Sequence, residues 1–312
     1  MKHTWVFSIY FLGILNSCFR FSEVDRESIP LIAQKKKKNG SYFQCITLTK
    51  FTPAEIPCIL VRVGDKTVSS ELDLGFRGHF CFSEDFIETI PDKVYLGTKK
   101  TVGFKGKTYE KKMYRIPFIQ IGETMFSDPL ILEEQDQFVM DATMIKKDHE
   151  PSPSESGRVG WEIFQLVNLF LDLRNFKIAV CDSLSTLEDK EYSVGSFVQA
   201  PLLLDRGLVE FEIETQDGIL RCLLDTGSTW NLINQKVPLD QESIEDPIWN
   251  PKNHLEFPEF SFGGKKFGAV RFRPLPIELP FHIDAVLGME FLEEHLVFLD
   301  FKNKQIYIAQ AR

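Results

Sequence analysis

The sequence predicts an all-β chain made of two homologous halves, with only short helices. Three observations predict it. Apolar and polar residues alternate at period two over short runs, as in Val209-Glu210-Phe211-Glu212-Ile213, the signature of a half-buried strand. Turn-forming Gly, Asp and Asn residues separate these runs. A segment from the middle of the chain also recurs, without gaps, near its end.

The recurrence starts at two glycines. GWEIFQLVNLFLDLRNFKIAV begins at Gly160 and GMEFLEEHLVFLDFKNKQIYI begins at Gly288. Glu162 then aligns with Glu290, Phe170 with Phe298, Leu171 with Leu299, Asp172 with Asp300, Asn175 with Asn303 and Ile178 with Ile306. Each copy reads as a Gly, a short helix, a strand, a polar turn and a strand. Asp172 and Asp300 stand where a tight turn wants a side-chain acceptor, so they read as turn residues and not as catalysts. Glu293-Glu294-His295 reads as an exposed helical turn.

The halves also correspond upstream. Ile59 to Val63, a turn at Gly64-Asp65-Lys66 and Val68 to Leu72 lead into Asp73. Val209 to Ile213, a turn at Gln216-Asp217-Gly218 and Ile219 to Leu224 lead into Asp225. The expected layout is an export signal over 1–22, a first lobe over 40–182, a polar linker over 183–196 and a second lobe over 197–312. Lys146 to Gly157, with two Pro and three Ser, reads as an exposed loop.

Composition bounds the function. The chain has 312 residues, 43% hydrophobic and 26% charged, with a formal net charge of −9. That is globular composition. No nucleic-acid partner is expected from so acidic a chain, whose strongest basic run is Lys35 to Lys38. Met1-Lys2-His3 followed by apolar Trp5 to Leu15 has the length of a signal peptide. Leu15-Asn16-Ser17-Cys18 resembles a bacterial lipobox, with Asn16 a poor fit. Cys18 is therefore either a lipid anchor or a residue lost with the signal. The expected location is the periplasm or outer membrane in a bacterium, and otherwise outside the cell. An intact Met1 on protein from the cell body would refute export.

The remaining cysteines, Cys45, Cys58, Cys81, Cys181 and Cys222, are odd in number and widely spaced, which is no disulfide framework. No Cys/His spacing suits zinc, and no GxSxG nucleophile motif occurs. Neither a metal nor a cofactor is expected.

The chemistry-bearing residues are Leu223-Leu224-Asp225-Thr226-Gly227-Ser228 and, downstream, Ala285-Val286-Leu287-Gly288. An apolar run ending in Asp-Thr-Gly-Ser, with a later hydrophobic-hydrophobic-Gly, resembles the two-lobed aspartic proteases. The resemblance spans most of residues 40–312 as architecture. It implies an acid-protease-type fold of two β-barrel-like lobes, a monomer with two related halves. It also implies an endopeptidase acting on a peptide or protein, with catalytic Asp225 and Asp73. Gly75 and Thr226-Gly227-Ser228 would support the two loops, and Val159-Gly160 and Leu287-Gly288 would pass beneath them. The resemblance further implies that the Ser228 hydroxyl bonds Asp225 and favours its ionised form; Asp73 has Phe76 at the matching place, and because apolar surroundings disfavour charge the shared proton is expected more often on Asp73.

Two like charges so close cannot both ionise easily, so such a pair holds one proton and can activate water. The first half departs from the pattern. Asp73-Leu74-Gly75-Phe76 has Leu for the usual Thr or Ser and Phe for the usual Ser or Ala, and Arg158 stands where the second half has an apolar residue. The alternative is a catalytically silent binding protein on the same fold. His79 reads as packed or surface-exposed. The flap of the first half falls at Tyr95 to Thr98 or at Gly103 to Gly106.

Overall fold

The computed structural model describes residues 33–34, 42–51, 56–102, 108–134, 157–190, 192–234, 254–275 and 283–311. The export signal, Cys18, the Lys35 to Lys38 run, most of the Lys146 to Gly157 loop and the Gly103 to Gly106 tip lie outside these residues. Strands dominate the described chain and helices are short, as in an all-β acid-protease-type fold. Among the described residues, no helix is long and apolar enough to cross a membrane.

The chain forms two compact units. One comprises Met1–Lys38 and Leu48–Leu166; the other comprises Asn39–Thr47 and Val167–Arg312. This boundary lies earlier than the linker expected at 183–196. The reason is hydrogen bonding: Asn168–Asp172 and Lys177–Cys181 join a sheet with His295–Asp300 and Phe43–Thr47. The expected linker itself carries 3-10 turns at Leu184–Lys190 and Val194–Ser196. Its Leu187 is buried in a cluster with Phe170 and Phe298.

In the first unit, Ile56–Val63 and Lys66–Asp73 form an antiparallel hairpin whose turn uses Gly64 at φ +62°. Only Gly adopts that conformation without steric cost. Lys66–Asp73 then runs parallel to Gly157–Gly160, which lies antiparallel to Phe80–Ser83. Phe80–Ser83 in turn runs parallel to Leu130–Glu134. Among the described residues, a hairpin of Val94–Val102 and Thr108–Arg115 ends the sheet, with Val94–Val102 outermost. Ile59, Val61, Leu72, Phe80, Ile121, Phe126 and Val159 are fully buried and supply the core. The Tyr95 to Thr98 candidate for a flap tip lies inside a strand, at a β-bulge between Tyr95 and Gly97.

The second unit holds two sheets. In the eight-stranded one, Glu210–Thr215 and Gly218–Leu224 form the hairpin that leads into Asp225. Strict alternation would put Glu210 in solvent. It is instead fully buried, because Arg221 on the neighbouring strand bonds its carboxylate. Burial pushes the Glu210 carboxyl up despite that partner.

The six-stranded sheet carries the internal repeat in its hydrogen bonds. Asn168–Asp172 pairs antiparallel with His295–Asp300, and Phe170 faces Phe298, the residue aligned with it in the repeat. The sheet therefore has an approximate twofold axis at that pair. Both hairpin turns close alike. Asp172 Oδ1 accepts the Asn175 N–H at 3.3 Å, and Asp300 Oδ1 accepts the Asn303 N–H at 3.0 Å.

One local reading needs correction. His295 is not on an exposed helical turn. The helix Met289–Glu294 stops before it, and His295 begins the strand His295–Asp300 at 3% exposure. Its ring stacks on Phe291, with centroids 4.2 Å apart, and an aromatic neighbour outweighs a sequence of charged ones.

Candidate functional site: the two Asp loops

Each Asp ends the second strand of a hairpin and starts a tight turn. The Phe76 N–H bonds the Asp73 carbonyl at 3.1 Å, and the Ser228 N–H bonds the Asp225 carbonyl at 3.2 Å. Asp73, Leu74, Gly75, Phe76, Asp225, Thr226, Gly227 and Ser228 are all buried.

The hydrophobic-Gly segments pass against these turns in the same way. Val159 pairs with Leu72 and Gly160 with Asp73 in a parallel ladder. Leu287 pairs with Leu224 in another, and the Asp225 N–H bonds the Leu287 carbonyl at 3.0 Å. A Cβ on Gly160 would lie 2.2 Å from the Gly78 carbonyl oxygen and 2.6 Å from that of Phe76. On Gly288 it would lie 2.4 Å from the Ser228 carbonyl oxygen and 2.5 Å from that of Trp230. The colliding oxygens belong to residues three and five places after the Asp in both units. Each Gly is thus set by close backbone approach, the same approach twice.

The second loop is held by a network. Asp225 Oδ1 accepts the Gly227 N–H at 2.9 Å. Asn231 Oδ1 accepts the Gly288 N–H at 2.9 Å, and its Nδ2 donates to the Arg271 carbonyl at 3.1 Å. Glu290 Oε2 accepts the Asn231 N–H at 3.1 Å, while Arg273 stacks 4.1 Å from the Trp230 ring centroid. Ser228 differs from the expectation. Its hydroxyl donates to the Trp230 carbonyl at 2.8 Å, closing the turn over its own backbone.

The first loop carries a cation. Arg158 Nε lies 3.2 Å from Asp73 Oδ2 and 3.4 Å from Glu71 Oε2. The Arg158 and Asp73 side chains are 11% and 5% exposed. This follows from the ladder: Arg158 pairs with Glu71 two residues before Gly160 pairs with Asp73, so the two side chains leave the same face of the sheet. Arg158 also lies over the Phe76 ring, 5.7 Å from its centroid, and Phe76 packs with Cys81, Leu132 and Met113. Phe76 is apolar as expected, and the Asp73 carboxylate has the Arg158 guanidinium beside it as well as that ring.

His79 occupies the place that Asn231 holds in the second unit, six residues past the Asp. Its carbonyl accepts the Gly160 N–H at 2.9 Å, and its Nδ1 accepts the Leu130 N–H at 3.0 Å. An accepting Nδ1 assigns the neutral tautomer with hydrogen on Nε2. Burial lowers the ring's pKa to about 4.

Sequence reasoning did not find Asn231, or the pairing of Arg158 with Asp73. The signal for Arg158 was its place: a cation in a strand position that is Val286 in the other half. Among the described residues, no cluster of His, Cys, Asp and Glu could hold a metal ion, and the five cysteines are free thiols.

No family model matches the sequence, and no curated protein matches it. Solved structures do resemble it. Basic 7S globulin from soybean aligns with TM-score 0.54 at 11% identity, covering 86% of this chain and 95% of that one. Conglutin gamma, a basic 7S globulin from lupine seeds, aligns with TM-score 0.54 at 9% identity, with the same coverage. An aspartic proteinase from Irpex lacteus aligns with TM-score 0.54 at 14% identity, covering 86% and 98%. Likeness at these identities shows the fold: this chain has the two-lobed, all-β fold found both in a proteinase and in seed globulins.

Proposed function

We propose that the chain is a peptide- or protein-binding protein on an acid-protease-type fold, without the hydrolytic chemistry of a shared-proton carboxylate pair. The observation that carries this reading is Arg158 Nε at 3.2 Å from Asp73 Oδ2. In the two-carboxylate mechanism the proton is held because two like charges repel and neither can discharge otherwise. A guanidinium beside Asp73 supplies a positive charge at its Oδ2. An Asp fixed in this way is a poor acid toward a peptide carbonyl. Leu74 and Phe76 agree with it, since both place apolar side chains where hydroxyls would serve catalysis.

The Asp225 loop favours a second reading, an endopeptidase, because Gly227 donates to its carboxylate at 2.9 Å. Binding is tested by passing a randomised peptide library over the immobilised full-length chain from pH 4 to pH 7. Mass spectra that show a defined subset retained intact support the reading. A retained fraction no different from the input refutes it.

A further inference from the structure

The residue six places past each Asp ties its loop to neighbouring strands, and the two units use different side chains for it. In the second unit an amide does this: Asn231 Oδ1 accepts the Gly288 N–H at 2.9 Å and Nδ2 donates to the Arg271 carbonyl at 3.1 Å. In the first unit His79 divides the task. Its carbonyl accepts the Gly160 N–H at 2.9 Å, and its ring Nδ1 accepts the Leu130 N–H at 3.0 Å. Both bonds reach strands that frame the Asp73 turn. Gly160 pairs with Asp73 itself, and Leu130 starts the strand Leu130–Glu134, which runs parallel to Phe80–Ser83.

The two ties differ in one chemical respect. An amide keeps its donor and its acceptor in mild acid, whereas an imidazole does not. The Leu130 N–H can only donate. Neutral His79 offers it a lone pair at Nδ1, with hydrogen on Nε2. A protonated ring carries hydrogen on both nitrogens, so two donors would then face each other. Either the ring turns away or the N–H leaves for water.

Charged groups stand on the elements around this bond. Arg77 is on the loop itself, and Glu162, in the turn after Gly160, lies 3.7 Å from it. Asp128 stands two places before Leu130, and Arg115 faces Leu130 across the antiparallel ladder. Glu133 lies farther along the same strand and is matched by Lys112 at 3.1 Å. Burial is what lowers the ring's pKa to about 4. An imidazole released to water titrates at about 6.5. The closed form has the depressed pKa, so the open form gains a proton first as pH falls. Opening therefore becomes more frequent from about pH 6.5 down to about 4, and above that range neither form is charged and pH has no effect.

We infer that His79 is an acid-released latch on the Asp73 loop: protonation of its ring turns the acceptor for the Leu130 N–H into a donor and frees the start of Leu130–Glu134 from the loop. The Asp225 loop, tied by the Asn231 amide, carries no such latch. His79 acts here as a positioning residue within one unit, and the latch holds whether the chain binds peptides or cleaves them.

The test is amide hydrogen exchange of the full chain, followed residue by residue by NMR at pH 7 and pH 4.5, with each rate divided by the intrinsic rate at that pH. Titration between about 4 and about 6.5 allows opening to rise roughly fiftyfold over this interval. The expected result is a rise of at least tenfold at the Leu130 amide. His79→Asn puts a non-titrating acceptor in place of Nδ1, as the second unit has. It should shrink the Leu130 rise at least fivefold and leave the pH response of the Gly288 amide unchanged. An equal rise at Leu130 in both chains overturns the inference. Leu130 and Gly288 responses that shrink together overturn it too, because His79 would then act on the whole fold. The imidazole nitrogen spectrum of the wild-type chain decides independently of the variant. Nδ1 should be without hydrogen at pH 7, and its protonation should share a midpoint with the loss of Leu130 protection. Hydrogen on Nδ1 at pH 7, or a protonated ring with Leu130 still protected, overturns the latch.

Discussion

Arg158 and Asp73 form a buried ion pair across two parallel strands, with Nε 3.2 Å from Oδ2. Glu71 stands on the other side of the same guanidinium at 3.4 Å. Removing one partner of a buried pair leaves an uncompensated charge and costs about 3–5 kcal/mol. Arg158→Val, which copies the second unit, should therefore lower stability by about that amount in urea unfolding. Adding Asp73→Asn to it should recover a large part, because an amide carries no charge to compensate. A loss under about 1 kcal/mol in the single variant, or none recovered in the double, would show that the pair does not form.

Gly160→Ala and Gly288→Ala should each destabilise the protein by about 3 kcal/mol or more, above the usual range for an added methyl group. The new Cβ atoms would lie 2.2 and 2.4 Å from backbone oxygens, and backbone cannot swing aside as a side chain can. Gly195→Ala, where nothing lies within 4 Å, is the control and should change little. Equal effects at all three would remove the close-approach explanation.

Asn231→Leu should cost about 3 kcal/mol, since it strips the Gly288 N–H and the Arg271 carbonyl of their partners at once. Asn231→Asp keeps the acceptor for Gly288 and loses the donor, so it should cost less. The check is the order of the two urea midpoints, and Asp falling below Leu would contradict the network described.

Much of the fold was legible because it rests on local signals. The period-two runs before Asp73 and Asp225, the turn at Gly64 and the Gly160/Gly288 repeat each state their own structure. The repeat even named the pair that meets in the six-stranded sheet, Phe170 and Phe298. What local signals cannot state is who meets whom across strands. Glu210 read as a solvent-facing residue because Arg221 is eleven positions away and only the hairpin brings them together. Arg158 read as a departure from a motif, not as the partner of Asp73, for the same reason. His295 read as exposed because its neighbours in sequence are acidic, while its neighbours in space, Phe260, Phe267 and Phe291, are aromatic. The Ser228 hydroxyl was expected at Asp225, but the turn brings it to the Trp230 carbonyl.

Acid should weaken the protein through His295. Its ring is buried among aromatic residues, and burial lowers its pKa to about 4, although the hydrogen bond with the Phe291 carbonyl acts the other way. An unfolded His titrates at about 6.5. Above that pH neither state is protonated and the group is neutral to stability. Below it the unfolded chain gains a proton that the folded chain refuses, so stability falls from about pH 6.5 down to about 4, by roughly 3 kcal/mol at most. His295→Phe should flatten this fall between pH 7 and pH 4.5 by about 2 kcal/mol, leaving the part that belongs to His79. An unchanged fall in the Phe variant would contradict the assignment.

The most direct test of the central claim is hydrolysis by the purified wild-type chain. Incubation with an unbiased peptide library from pH 3 to pH 7, followed by mass spectrometry, should yield no new peptide termini above those of an Asp225→Asn control. Arg158 at Asp73 is the stated reason. New termini that appear with the wild type, vanish with Asp225→Asn and are suppressed by a statine-type inhibitor would contradict it, and would make the chain an aspartic endopeptidase.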